Sequence, residues 1–410
     1  MSETSYPLDK IKVVLLEGVH ERSVELLEAE GFTVEWRKGA MSEDEVIEAA
    51  ADAHLIGIRS KTQLTRRFFE STRRLWAVGC FCIGTNQVDL DAAAERGAAV
   101  FNAPFSNTRS VAELVIAEIV ALHRKLCDRS AEMHAGKWRK SADGAHEIRG
   151  KTLGIVGYGR IGSQVSVLAE AMGMRVVYFD VTGTLPLGNA TRLESLEAVL
   201  DAADCVTLHV PADGSTRDMI GEPELARMKP GSFLINNARG SVVDLPALRS
   251  AIRSGQIAGA AVDVFPEEPA EREADHAVDL AGLPNVILTP HVGGSTVEAQ
   301  RNIAEEVGSK LIKLMNNGST ATAVNLPAVE LPQLHPDHRR VLHFHRNVPG
   351  VLRKLNETLG DTGANVAAQY LQSDMKHSYV ITDVSGKDAS TELRDRLLHI
   401  DETIRARVIW

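Results

Sequence analysis

The sequence predicts an α/β protein with two doubly wound parallel sheets, followed by a small βαββαβ unit. Three observations carry this. Short apolar runs alternate with helical spacing as far as Pro290, the pattern of parallel sheets covered by helices on both faces. A glycine-rich turn near Gly157 opens a second such series well inside the chain. Residues 338–410 then repeat strand and helix in a different order. With 410 residues, the chain is also too long for one ordinary core.

Taken in order, Lys12–Leu16 is a buried strand, and Val24, Leu26 and Leu27 give His20–Glu30 helical spacing. Phe32–Trp36 returns to strand character, and Ser42–Ala51 reads as a helix capped by Ser42. Leu55–Ile58, Leu75–Val78 and Ala99–Asn102 continue the strands, and Ser110–Cys127 is a long apolar helix. The second series runs from Lys151 to Pro290 and is followed by a helix at Ser295–Met315. Asn316–Pro336, with three prolines and no periodicity, reads as a linker. After it come strand His338–Phe344, helix Gly350–Gly360, strands Asn365–Gln372 and Tyr379–Val384, helix Ala389–Leu398 and strand Thr403–Ile409. That βαββαβ order is ferredoxin-like.

Charge and composition narrow the function. The formal net charge is −10, and 44% of residues are hydrophobic against 24% charged. This argues for a folded protein without wholesale nucleic-acid binding. The sequence contains neither a secretory leader nor a membrane-length apolar run. The four cysteines, Cys80, Cys82, Cys127 and Cys205, form no CxxC pair, and no cluster has metal-ligand spacing. A cytoplasmic location without a metal is expected. Met133–Lys140 mixes Trp138 with basic residues and reads as an exposed loop with one anchoring aromatic ring.

Residues 152–162, TLGIVGYGRIG, follow an apolar strand and open a helical pattern. A second strand, Arg175–Phe179, ends in Asp180. Gly157 permits a tight turn, Gly159 lets backbone approach a pyrophosphate, and Gly162 permits close helix–strand packing. Arg160 and Ile161 begin the helix, whose N-terminus attracts negative charge. Asp180 accepts from ribose hydroxyls and repels a 2′-phosphate, so NAD is the expected cofactor of a Rossmann domain.

Arg239, Glu268 and His291 each follow a predicted strand, where open parallel sheets bind ligands. Oxidising a secondary alcohol requires a base for the hydroxyl proton, and histidine suits neutral pH. A carboxylate beside it orients the ring and favours its charged form. An arginine clamps a carboxylate in two-pronged fashion.

Together, GYGRIG, ARG at 238–240, PEEP at 266–269 and PHVGGST at 290–296 resemble the D-isomer-specific 2-hydroxyacid dehydrogenases. The resemblance implies that His291 and Glu268 are the acid–base pair and that Arg239 binds substrate. It adds Ala238, His209, Asp263, Gly293 and Gly294 to the cofactor pocket, with Asp263 near the nicotinamide. IRSKT at 58–62, GCFCIGTN at 79–86 and NAPFSNTRSVAE at 102–113 resemble the branch of that family that oxidises 3-phospho-D-glycerate. This implies substrate binding by Arg59, Ser60, Lys61, Gly84, Asn107 and Arg239, with 2-hydroxyglutarate and 2-oxoglutarate as side substrates. The implied domains are a flavodoxin-like substrate domain at 1–107, completed by 296–330, and a Rossmann domain at 108–295. HFHRNVPGVL at 343–352 and GANVAAQY at 363–370 resemble an ACT domain at 338–410. His345, Asn347 and Asn365 then become ligands for L-serine as feedback inhibitor, and edge strands pair into a homotetramer. Alternatives are a dehydrogenase for another D-2-hydroxy acid, or an NAD-sensing corepressor on the same fold.

Overall fold

Runs rich in Val, Ile and Leu become the central strands of two parallel sheets in the computed structural model of the chain. It describes residues 6–269, 275–385 and 389–409, apart from the side chains of 389–391. The chain forms two compact units, one from residues up to Ser106 together with those from Gln300 onward, the other Asn107–Ala299.

In the first unit, β1 (Lys12–Leu15), β2 (Thr33–Trp36), β3 (Leu55–Ile58), β4 (Ala77–Cys80) and β5 (Ala99–Phe101) lie in the order β2-β1-β3-β4-β5. Val13 pairs with Val34 on one side and Leu55 on the other. This is the flavodoxin-like order. Strands β3 to β5 are buried along their whole length, as a sheet covered on both faces requires. From Gln300 on, the helix Val297–Asn317 closes one face with Ile303, Val307 and Leu311.

In the second unit, β6 (Thr152–Val156), β7 (Arg175–Phe179), β8 (Thr191–Arg192), β9 (Cys205–Leu208), β10 (Ser232–Asn236), β11 (Ile257–Val262) and β12 (Val286–Leu288) follow the order β12-β11-β10-β9-β6-β7-β8. That is the doubly wound Rossmann arrangement with a seventh strand at one edge. The predicted helix Ser110–Cys127 is in fact two, Thr108–Arg124 and Leu126–His134. Lys125 breaks it in the left-handed region at φ 52, its N–H bonding to Ala121 and Leu122 carbonyls. Trp138, expected to anchor its loop, is 80% exposed.

Four strands, β13 (His338–Arg346), β14 (Asn365–Ser373), β15 (His377–Ser385) and β16 (Thr403–Ile409), make an antiparallel sheet in the order β14-β15-β13-β16. The expected βαββαβ sequence of elements is present, with the helices Val351–Asp361 and Ala389–Leu397. This sheet belongs to the first unit. Arg340, fully buried, forms a two-pronged pair with Asp383 at 2.7 Å and also donates to the Asn317 and Pro332 carbonyls. Trp76 lies under the guanidinium groups of Arg405 and Arg407, at 4.6 and 5.0 Å. The segment read as a linker is packed instead. Ser319 and Thr320 are buried, and Asn325 bonds across to Ala98 and Val100.

Candidate active site

Strands β10, β11 and β12 are neighbours and parallel, so the residues after them share one end of the sheet. That brings two of the three predicted chemical groups into direct contact. His291 Nδ1 donates to Glu268 Oε2 at 2.8 Å, and Glu268 Oε1 accepts from Phe265 N–H at 3.1 Å. With the Nδ1 proton fixed on Glu268, Nε2 is the nitrogen left for proton exchange. The hydrogen bond to Glu268 raises the His291 pKa above its ordinary value, against the effect of burial. Burial pushes the Glu268 carboxyl upward, but the bonds from His291 and Phe265 outweigh it and hold it low. The pair is therefore an imidazole of enhanced basicity on a charged carboxylate. Arg239 contributes positive charge felt by both.

His291 sits at φ 53, a conformation rare for a side chain larger than glycine. Asp263 holds it there. The Asp263 carbonyl accepts the His291 N–H at 2.8 Å, and its buried carboxylate accepts from Thr289 Oγ1, Val292 N and Gly293 N at 2.6 to 2.8 Å. The Asp263 carboxylate, expected near the nicotinamide, faces the backbone of the histidine loop. The motif could not reveal this, because its partners lie 26 to 30 positions along the chain.

Arg239 is placed by a residue that sequence reasoning missed. Asn236, fully buried at the end of β10, accepts from Ala238 N and donates to the Arg239 carbonyl at 3.0 Å. Gly240 is required here: a Cβ would lie 1.9 Å from the Phe265 carbonyl carbon. The Arg239 turn can thus press against the loop that carries Glu268. Behind it, Asn237 donates to Glu118 Oε2 at 2.8 Å inside the core. Glu118 also went unnoticed, although it stands on the apolar stripe of its helix with Val111, Val115 and Leu122. Asn107 packs against the same site, since a Cβ on Gly294 would come within 2.3 Å of its Nδ2.

After β6, in the interior of the same sheet, Gly157 turns the chain at φ 91, and a Cβ there would meet the His209 carbonyl at 2.5 Å. Gly162 packs directly over Gly157. At Gly159, by contrast, a Cβ would meet nothing within 4 Å. The chain itself gives no reason for that glycine, whereas a phosphate approaching the N-terminus of the helix Arg160–Ala171 would. Arg160 is exposed and Ile161 half-buried beside it. Asp180 accepts from Tyr158 N at 2.6 Å and from Thr182 N at 2.7 Å. Burial raises its pKa, but these bonds prevail and keep it below its ordinary value. The loop and the charged acid fit a dinucleotide. Burial pushes His209 down to about 3, so its ring is neutral, bonded to Thr207 at 3.1 Å. Ala238, just before Arg239 in the chain, is buried.

In the first unit, Arg59, Ser60 and Lys61 follow β3 and Gly84 follows β4. Gln87 Nε2 bonds to both the Arg59 and Gly84 carbonyls, tying the two segments together. The Ser60, Lys61 and Thr62 N–H groups all point to the Glu17 carboxylate.

The expected effector residues do not converge within one chain. His345 and Asn347 stand where β13 leaves the sheet, opposite Ser378, whereas Asn365 pairs with Ser385 at the far end of β15. Seven strand residues separate the two ends, about 23 Å. His345 Nδ1 bonds to the Arg346 carbonyl at 2.8 Å, so Nε2 is an acceptor, buried without a partner. Asn347 donates to the Asp374 carbonyl and Asn365 to Ser385 Oγ.

Residues 116–293 match the family described as D-isomer specific 2-hydroxyacid dehydrogenase, NAD binding domain, and residues 341–405 match the AHAS small subunit-like ACT domain. The chain is 52% identical over 410 residues to the D-3-phosphoglycerate dehydrogenase of Haemophilus influenzae, covering 100% of both. Identity to the D-3-phosphoglycerate dehydrogenase of Escherichia coli K12 is 51% over 412 residues, again with 100% of both covered. Among solved structures, D-lactate dehydrogenase with NAD+ from Lactobacillus jensenii aligns with a TM-score of 0.67 at 29% identity, over 77% of this chain and 99% of that one.

Proposed function

The chain belongs to the D-isomer-specific 2-hydroxyacid dehydrogenases, and from that premise we propose that it oxidises 3-phospho-D-glycerate reversibly to 3-phosphohydroxypyruvate, the step that opens the phosphorylated route to L-serine. The single observation that carries the chemistry is the His291–Glu268 pair, at 2.8 Å after adjacent strands. Full-length likeness to D-3-phosphoglycerate dehydrogenases carries the choice of substrate.

In oxidation the C2 hydroxyl passes its proton to His291 Nε2 as the hydride leaves C2. When bound, NAD would supply the hydride acceptor. Glu268 stabilises the imidazolium that results, and Arg239 holds the C1 carboxylate and polarises the C2–O bond. Arg59, Ser60 and Lys61 take the phosphate, with Gly84 and Asn107 completing the substrate set. Gly157, Gly159, Arg160, Ile161 and Gly162 cradle the pyrophosphate, and Asp180 takes the ribose hydroxyls. His209, Ala238, Gly293 and Gly294 line the cofactor pocket, and Asp263 holds the histidine loop.

The ACT domain marks the chain for a small-molecule effector, in our reading L-serine. Because His345 and Asn347 lie at one end of the sheet and Asn365 at the other, the effector site takes His345 and Asn347 from one copy and Asn365 from a second. A homotetramer provides such pairs. No helix among the described residues is long and apolar enough to cross a membrane, and we place the enzyme in the cytoplasm.

The test is NADH absorbance at 340 nm with purified protein, in both directions, with and without L-serine. Turnover of 3-phospho-D-glycerate and 3-phosphohydroxypyruvate that serine suppresses is expected. Turnover of a different 2-oxo acid alone would overturn the substrate, and insensitivity to serine would overturn the effector.

A further inference from the structure

Strand β1 ends where a glycine would be the ordinary choice, yet position 17 is glutamate. Glu17 adopts φ 61 and is only 4% exposed. A buried acid in the left-handed region is costly unless its surroundings hold it there. They do. Its Oε2 accepts the Ser60 and Lys61 N–H groups at 3.1 Å each, and its Oε1 accepts Thr62 N–H at 2.8 Å. Its own N–H is anchored on the Gly39 carbonyl. On the opposite side of the same loop, Gln87 Nε2 donates to the Arg59 carbonyl at 2.5 Å.

Successive backbone N–H groups turned to one point form a concavity for anions. Residues 60–62 make such a concavity, and the protein fills it with its own carboxylate. The amides of this loop are thereby withdrawn from any incoming phosphate. What the loop has left to offer an anion is its side chains, on a backbone gripped from both sides. We propose that Glu17 is the positioning residue of the anion-binding loop, fixing residues 59–62 so that the substrate's anionic end is read by side chains and not by backbone amides. The inference rests on the substrate role given above to Arg59, Ser60 and Lys61.

Replacing Glu17 by Gln turns one acceptor oxygen into an amide donor facing backbone donors, so one or two of the three bonds fail. Loosening a loop by that much is worth about tenfold in affinity. Steady-state kinetics on the full-length Glu17→Gln protein should show KM for 3-phosphohydroxypyruvate raised about tenfold, with kcat changed less than about twofold and KM for NADH unmoved. Gln87→Ala, which releases the other side of the loop, should give the same split and serves if Glu17→Gln folds poorly. A merely structural role predicts instead that kcat falls with the folded fraction while both KM values stay put. That outcome, or an unchanged KM for the oxo acid in both variants, overturns the proposal. Should the wild type reduce only some other 2-oxo acid, the substrate assignment fails on the wild type alone. The same KM comparison with that acid then decides for or against Glu17.

Discussion

Glu118 offers the sharpest test of how the core beneath the site is built. It lies inside the helix Thr108–Arg124, 3% exposed, with one donor on Oε2 and none on Oε1. Burial pushes its pKa up to about 8, opposed by the Asn237 bond and assisted by the negative charge of Asp263. The carboxyl is therefore protonated in the folded chain at neutral pH, while in the unfolded chain it titrates near the ordinary 4.5. Below 4.5 both states hold the proton, and the contribution of Glu118 to stability is complete. Between 4.5 and 8 only the unfolded state releases it, so stability falls by up to about 1.4 kcal/mol per pH unit. Above 8 both states release it and the loss levels off. The whole interval sets a ceiling on the order of 5 kcal/mol, which relaxation of the core will lower. Glu118→Gln keeps the shape and the acceptor for Asn237 but has no proton to lose. Thermal midpoints of wild type and variant, measured from pH 5 to pH 9, should diverge steadily up to pH 8 in favour of the variant. Every other titrating group is common to both and cancels in the difference. Parallel curves across that range would refute the reasoning.

Two further predictions concern the site itself. Glu268→Gln removes the bond that raises His291, so its pKa falls toward the ordinary value. The acid limb of the oxidation profile, which needs neutral imidazole, should shift to lower pH while kcat drops about 10- to 100-fold; an unmoved limb would exclude the pair as the titrating unit. Gly159→Ala and Gly240→Ala should part company. The first places a methyl in open space and should raise KM for NAD about tenfold with the thermal midpoint unchanged. The second drives a methyl into the Phe265 backbone and should cost about 2–4 kcal/mol of stability together with activity, read by thermal unfolding and NADH absorbance.

Much of the fold was legible because local signals agreed with one another. In the segment around Gly157, strand, turn, helix and acid were each in place, and the sheet order follows from that unit. The C-terminal elements were legible from the order in which strand and helix segments follow one another, with glycines Gly350 and Gly363 between them. Elsewhere tertiary contacts decided. Nothing local marks Lys125 as the residue that leaves the right-handed helix. The contacts of Asp263 lie on a loop some 30 residues later, so its motif named the residue without revealing those partners. The expected effector residues belong to one ACT resemblance but not to one end of the sheet, a separation visible only once strand register is known. Glu118 was readable in principle, since an acid on the Val111, Val115, Leu122 stripe has to be buried. Glu17, inside an ordinary-looking strand-to-turn junction, was not.

These misses have a common physics. The groups given chemical roles, His291 and Glu268, remain half or a third exposed, because they must meet substrate and solvent protons. The groups that sequence reasoning missed or misplaced are acids and amides sealed in the core. Asp263 and Glu17 each collect three donors from a loop, and so turn the need to satisfy a buried carboxyl into a fixed loop geometry. Glu118 collects one donor only, and its proton stays on up to about pH 8. Donor number is thus what separates a carboxyl that clamps a loop from one merely tolerated inside the core. On this argument, deleting a donor from the Asp263 set, as Thr289→Val does, should loosen His291 from its left-handed backbone. The measurable result is faster amide exchange at Val292 and Gly293, whose N–H groups both bond to Asp263; exchange indistinguishable from wild type would defeat it.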